Sequence, residues 1–237
     1  MRTEDARFGG SWERVGAASG AAYALLLIVG GSMMTAGTSE STNPAGEEAL
    51  ASWQHIAETG SAKLGLGLAL LAFAAFAVFL SYLHGVLRRV EGPDSWLPTS
   101  ALVAGVLALV IKWGSASFVG AAIVRSDELS PDLARTLNDL DSAAFWASWL
   151  PYAVFVGVSA LVILRTRFVP SAFGWIGLVL AVAGVATSVS VDVGMSENGA
   201  APYLLSVLWV LALSMVLAVR GPRPVAEPSA PRVAVAA

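Results

Sequence analysis

The sequence predicts an all-α fold: a polytopic membrane bundle of about six transmembrane helices, both termini inside, with short amphipathic helices on the outer face. Three observations carry this. The chain of 237 residues is 56% hydrophobic and only 13% charged, with a mean hydropathy of +0.70. Soluble domains carry roughly 25% charged residues, and a soluble fold of this size has too much surface to hide so many apolar side chains. The apolar residues fall into stretches long enough to cross a bilayer, about 20 residues each. The arginines between those stretches alternate in number from one side to the other.

The stretches are Val15–Gly37, Leu64–Leu87, Ala101–Val124, Ala143–Leu164, Ala172–Val191 and Ala201–Val219. Lys112 is the one charge deep inside any of them, and His84 lies near the end of the second. None alternates like a strand, and open sheets cannot leave backbone groups unpaired in lipid. The first stretch reads as a span rather than a cleaved leader, because its apolar core is long and fourteen charged or polar-rich residues precede it. The organisation is therefore a cytoplasmic segment 1–14, a transmembrane domain 15–220 and a disordered cytoplasmic tail 221–237, where prolines recur at 222, 224, 228 and 231.

With the N-terminus inside, the cytoplasmic side holds Arg2, Arg7, Arg14, Arg88, Arg89, Arg165, Arg167, Arg220, Arg223 and Arg232. The outer side holds only Lys63, Arg125 and Arg135, while most acids lie there. That is a strong positive-inside bias; with usage rich in Ala, Val, Gly and Arg and only two lysines, as in a high-GC bacterium, the expected location is a bacterial cytoplasmic membrane. The cytoplasmic loops are short, and Trp96 and Trp175 suit interfacial anchoring.

The outer loops carry more pattern. Asn43-Pro44 precedes Glu47, Glu48, Leu50, Trp53, Ile56 and Glu58, which predicts a short helix lying on the membrane surface. Ser130-Pro131-Asp132 is a helix start with proline at its first position. Leu133, Leu137 and Leu140 then share a face, leaving Asp132, Asp139 and Asp141 for water or for a mouth between helices.

Composition excludes several chemistries. Without cysteine there is no disulfide, thiolate nucleophile or Cys-ligated metal, and two histidines, His55 and His84, do not make a multi-histidine site. The net charge of −3 does not point to nucleic acid. No phosphate-binding glycine loop, H-E-x-x-H, nucleophile elbow or redox pair is present. No cofactor is implied.

Lys112 is the outstanding candidate. A lysine at mid-membrane costs roughly 3 kcal/mol on insertion scales, so it should face the bundle interior, and Gly105, Ala108, Ser115, Ala116 and Val119 give its helix a small-residue face. Its functional reading is an ion pair, a proton-transfer group or an anchor for an anionic ligand. Its bland reading is snorkelling toward water. By depth, Tyr152 and Trp209 share its level. Pro151 frees the carbonyl of Ala147 to meet the cation, and Trp113 or Trp209 offers a ring face. Asp192 ends a stripe of Gly174, Gly177, Ala181, Gly184 and Ser188, and Asp141 and Glu58 occupy comparable boundary positions. The ligand set expected on these grounds is Lys112, Tyr152, Asp192, Trp113, Trp209, Asp141 and Ser115, with no metal. The Gly16–Gly20 spacing suits tight helix packing within the chain or in a homodimer.

The run Leu137-Asn-Asp-Leu-Asp-Ser-Ala-Ala-Phe-Trp-Ala-Ser-Trp-Leu-Pro151 and the run Arg165-Thr-Arg-Phe-Val-Pro-Ser-Ala-Phe-Gly-Trp-Ile-Gly177 together resemble small actinobacterial integral membrane proteins grouped as a domain of unknown function. The resemblance covers residues 135–180. It implies a helical bundle and supplies no activity.

Three functions compete at this stage. One is a bundle that binds an apolar or anionic small molecule, or an ion, in a polar site in the outer half. Another is a membrane-embedded enzyme acting on a lipid or isoprenoid, with Asp141 or Asp192 as its acid. The third is a structural or partner-binding membrane protein. In all three, membrane lipids are the surrounding partner.

Overall fold

The computed structural model describes residues 11–36, 44–190 and 199–220. Its helices in chain order are α1 (Ser11–Thr35), α2 (Gly46–Glu58), α3 (Gly60–Glu91), α4 (Leu97–Val124), α5 (Pro131–Ala147), α6 (Trp149–Thr166), α7 (Ser171–Val189) and α8 (Ala201–Arg220). Strands are absent among the described residues, and six helical segments are long and apolar enough to cross a membrane, α5 and α6 together forming one of them. The expected all-α bundle with six candidate spans is borne out. The outward faces are apolar, as lipid contact requires: Val103, Val106, Leu107 and Val110 are exposed on α4, and Trp175, Ile176, Val179 and Val182 on α7.

Helix lengths divide the molecule into a body and a cap. α6, α7 and α8 have 18, 19 and 20 residues, about 27–30 Å at 1.5 Å per residue, close to the thickness of a hydrocarbon core. α3 and α4, with 32 and 28 residues, run to about 48 and 42 Å and overshoot them. The overshoot is packed by α2 and α5. A separate apolar cluster forms there from Ala49, Trp53 and Ile56 of α2, Ala62 of α3, Val119 and Ala122 of α4 and Ala134 of α5. The Trp53 indole N–H donates to the Ala134 carbonyl at 3.2 Å inside this cluster. α2 is thus held as part of a helical cap, more than a helix resting on a surface. His55 Nε2 lies 3.0 Å from the Ala36 carbonyl and donates to it, an interfacial polar contact.

α5 starts as its sequence predicts, with the Ser130 hydroxyl accepting from the Leu133 N–H at 3.3 Å and Pro131 at its start. Of its leucine face, Leu137 packs partly buried against this cluster while Leu133 and Leu140 are exposed, and the fully buried residue is Ala134, where α2 approaches closely. The tightest point of that approach is Gly46, where a Cβ would lie 2.8 Å from the Pro131 carbonyl oxygen.

The body is built on glycine-mediated crossings. α1 packs most extensively on α3, with Gly16 against Tyr82, Gly20 against Phe79, and Gly30 against the backbone of Gly65 and Ala69. The Gly16–Gly20 face is therefore used within the chain. The Ser214 hydroxyl of α8 donates to the Ala17 carbonyl on the same helix. The stripe of α7 is inward, as its spacing predicts: Gly174, Gly177, Ala181, Gly184 and Ser188 are all buried. Gly177 faces Ala160 of α6 and Trp209 of α8.

The expected span Ala143–Leu164 lies within a single crossing, Pro131–Thr166, whose helical bonding is disturbed for one residue at Ser148, between α5 and α6. Two local causes appear: the Ser148 hydroxyl donates to the Phe145 carbonyl at 2.6 Å, and Pro151 has no N–H to offer the carbonyl one turn earlier. At the opposite end of the bundle from the cap, Arg89 pairs with Glu13 at 2.7 Å, and Arg165 lies 3.1 Å from the buried carboxylate of Glu91. This end carries Arg14, Arg88, Arg89, Arg165, Arg167 and Arg220 among the described residues.

Candidate functional site at Lys112

Lys112 lies fifteen residues into α4 from Leu97, about 22 Å up from the basic end, in the cap-side part of the body. Its side chain points inward with 7% exposure. α4 presents Ala108, Lys112 and Ser115 along one buried stripe, one turn apart, and the small residues let neighbouring helices close over the lysine.

The ammonium sits in an aromatic enclosure. Nζ is 3.0 Å from the centroid of the Phe145 ring and 4.4 Å from that of Tyr203. Ring faces carry partial negative charge and attract a cation, by about 2 kcal/mol when desolvated. Around this pair the aromatics continue. Tyr203 stacks with Trp149 at 6.2 Å and meets Tyr152 at 5.1 Å, and Phe76 stacks with Tyr23 at 4.4 Å and meets Tyr152 at 5.8 Å. α1, α3, α5, α6 and α8 each contribute a ring, so five helices besides α4 meet at the site.

Against the small chamber beside the ammonium stand Tyr23, Phe73, Phe76, Ala108, Leu109, Ser148, Tyr152 and Tyr203. Its volume, for the centre of a water-sized sphere, is about 10 Å³, roughly one water. The ammonium finds no hydrogen-bond acceptor among the described residues, nor does the Trp149 indole N–H, while the Tyr152 hydroxyl makes no bond of good geometry and interacts with the Tyr23 hydroxyl. Buried polar groups are nearly always paired, so two unpaired donors on neighbouring helices beside a loose tyrosine contact mark an unusual place.

Of the sequence-derived set, the structure brings Lys112, Tyr152, Ser115 and Asp141 to one locality. The Ser115 hydroxyl donates to the Lys112 carbonyl at 2.9 Å. Asp141, half-buried on α5, interacts with the Ser115 hydroxyl and, through space, with the lysine, although the two charged groups form no direct ion pair. The other members go elsewhere. Trp209 donates its indole N–H to the Phe173 carbonyl at 2.9 Å and seals the α7–α8 crossing. Trp113, 46% exposed, turns outward beside Phe73. A side chain next to a buried residue in sequence points about 100° away on a helix, and that rotation takes Trp113 out of the core. Asp192 lies outside the described residues. The Ala147 carbonyl is not an acceptor for Lys112, whose Nζ is unbonded. Nor does the lysine snorkel into water.

The rings that actually hold the cation, Phe145 and Tyr203, were not among the expected ligands. One signal for them exists: Phe145, Trp149 and Tyr152 are spaced i, i+4 and i+7, one face of a helix, and Lys112 meets that face. Trp146, by contrast, reaches α7 and donates to the Thr187 carbonyl at 3.4 Å.

A second feature is a groove of about 560 Å³ on the lipid-facing side between α4 and α6, lined by Val103, Leu107, Ile111, Leu150 and Val154, with Thr99 and Ser100 at its basic-end limit. It contains no acidic side chain and lies on a different face of α4 from Lys112. Among the described residues no cluster of His, Asp or Glu has the arrangement of a metal site. No family model matches the chain, and no curated protein or solved structure shows significant similarity to it.

Proposed function

We propose that this integral membrane protein binds a small electron-pair-donating ligand, an ion or molecule, at Lys112. The single observation that carries the reading is the buried ammonium without an acceptor, bordered by a tyrosine hydroxyl and a chamber. An isolated buried charge is costly, and two aromatic faces offset only part of that cost. A group that accepts hydrogen bonds and carries negative charge completes the site. In this reading Asp141, half-buried on α5 and interacting with Ser115 and Lys112, is the group that passes ions or protons toward water.

The cap end is assigned to the outer face of a bacterial cytoplasmic membrane, with the arginine-rich end in the cytoplasm, on the positive-inside asymmetry. The resemblance to small actinobacterial membrane proteins of unknown function fits this location. The enzyme reading on a lipid or isoprenoid draws on the α4–α6 groove, whose size suits a hydrocarbon chain. The groove holds no acid to protonate one, so the binding reading is preferred.

The test is ligand-dependent thermal unfolding of the full chain in micelles, wild type against Lys112→Met, across a panel of inorganic anions and small carboxylates. Met matches the length of the stem without its charge. At least one ligand should raise the wild-type midpoint and leave the variant unmoved. A panel that shifts both proteins equally, or neither, overturns the reading.

A further inference from the structure

We infer that the ligand at Lys112 is a single weakly hydrated monatomic anion, a halide of the size of chloride. This rests on the binding reading above and narrows it. Three features decide the class.

The first is donor arithmetic. Lys112 Nζ on this chamber and Trp149 Nε1 on the adjoining one are unpaired. An ammonium and an indole N–H only donate, while the tyrosine hydroxyls beside them donate or accept. A fixed cation with donors around it attracts an electron-rich species and repels a cation.

The second is size. The Lys112 chamber measures about 10 Å³ for the centre of a water-sized sphere, and an adjoining chamber, which shares Tyr152 and Tyr203 with it and includes Trp149, measures about the same. Each admits roughly one water-sized particle. An organic carboxylate exceeds this, and its two oxygens present about four lone-pair positions, more than the chamber's donors fill.

The third is charge. A neutral water would accept a hydrogen bond from Nζ and leave its charge unbalanced. Asp141 acts on the lysine only through space, since it forms no ion pair with it. Phe145 and Tyr203 cover part of the ammonium. A monatomic anion on the remaining side neutralises the cation and needs few directed hydrogen bonds, which suits a chamber walled mainly by Phe73, Phe76 and Leu109.

The experiment uses the full chain in micelles at constant ionic strength, exchanging sodium gluconate for sodium chloride, with ³⁵Cl line broadening as the readout and bromide and formate as competitors. The expected result is saturable broadening reversed by bromide. Lys112→Met should weaken binding roughly 10- to 150-fold, and Tyr152→Phe, which removes one oxygen from an otherwise unchanged ring, roughly 2- to 12-fold. If formate stabilises the protein through Lys112 and chloride does not bind, the halide assignment is overturned and the Lys112 reading stands. If no anion depends on Lys112, both fall. Should Lys112→Met not fold, Tyr152→Phe decides: wild-type chloride affinity in that variant overturns the assignment.

Discussion

Gly30 on α1 and Gly65 on α3 meet backbone to backbone, and a single methyl group there measures how much of the fold depends on that contact. A Cβ at Gly30 would lie 2.6 Å from the Gly65 carbonyl oxygen and 2.9 Å from the Ala69 nitrogen, whereas ordinary contacts begin near 3.4 Å. Both neighbours are main chain and cannot rotate aside, so α1 must move off α3 by the shortfall, about 0.8 Å. Overpacking of this kind costs about 1–3 kcal/mol. Gly30→Ala also gains helix propensity, about 0.5–1 kcal/mol in water, which obscures the packing cost. Gly31 supplies the control, being the next residue of the same helix with nothing within 4 Å of its ideal Cβ. Comparing Gly30→Ala with Gly31→Ala cancels most of the propensity gain and leaves the packing difference, about 1–3 kcal/mol. Equilibrium unfolding in mixed micelles, titrated with a denaturing detergent and followed by circular dichroism, reads that difference. Gly65→Ala should behave like Gly30→Ala, and the double variant should lose less than the two singles together, because helices already parted for one methyl accommodate the next. If Gly30→Ala and Gly31→Ala unfold at the same detergent fraction, the α1–α3 crossing does not depend on backbone contact and the argument is wrong.

Further predictions concern the cap and the topology. Trp53→Phe removes the indole donor to the Ala134 carbonyl, which keeps its helical partner, and should destabilise the cap by about 0.5–1.5 kcal/mol. Amide exchange in α2 and α5 should accelerate while the α1–α3 crossing stays protected, and uniform acceleration throughout the bundle would show that the cap is not a separate unit. For orientation, an impermeant thiol reagent on intact cells should label Ser39→Cys and reach Ser229→Cys only after permeabilisation. Labelling of Ser229→Cys in intact cells reverses the assignment.

Much of the helical plan is legible without coordinates, because lipid imposes a one-dimensional rule. Where water is absent, the backbone must satisfy itself, and a run of about 20 apolar residues has little choice but to be a helix. The inward face of α7 was readable for a related reason: small residues at helical spacing let helices approach closely, and Gly174, Gly177, Ala181 and Gly184 are indeed buried. On α5 the leucine spacing finds Leu137, which packs on the cap, but not Ala134, because hydrophobic spacing identifies a face but not the distance at which a partner arrives. α2 comes close enough that Ala134 is buried and Leu133 is not.

At the site, the sequence by itself determined that Lys112 is deep and inward, since a charge in a spanning helix has few other places to go. It also placed Tyr152 near the lysine's level and Asp141 at a boundary. Tertiary structure alone decided what surrounds the ammonium. Depth along a helix can be counted in residues, but the azimuth at which one helix faces another depends on how all the crossings fit together. Counting put Trp209 at the right height, and packing turned it into the α7–α8 crossing. The convergence of α5 and α8 on the lysine brings Phe145 and Tyr203 against the cation instead.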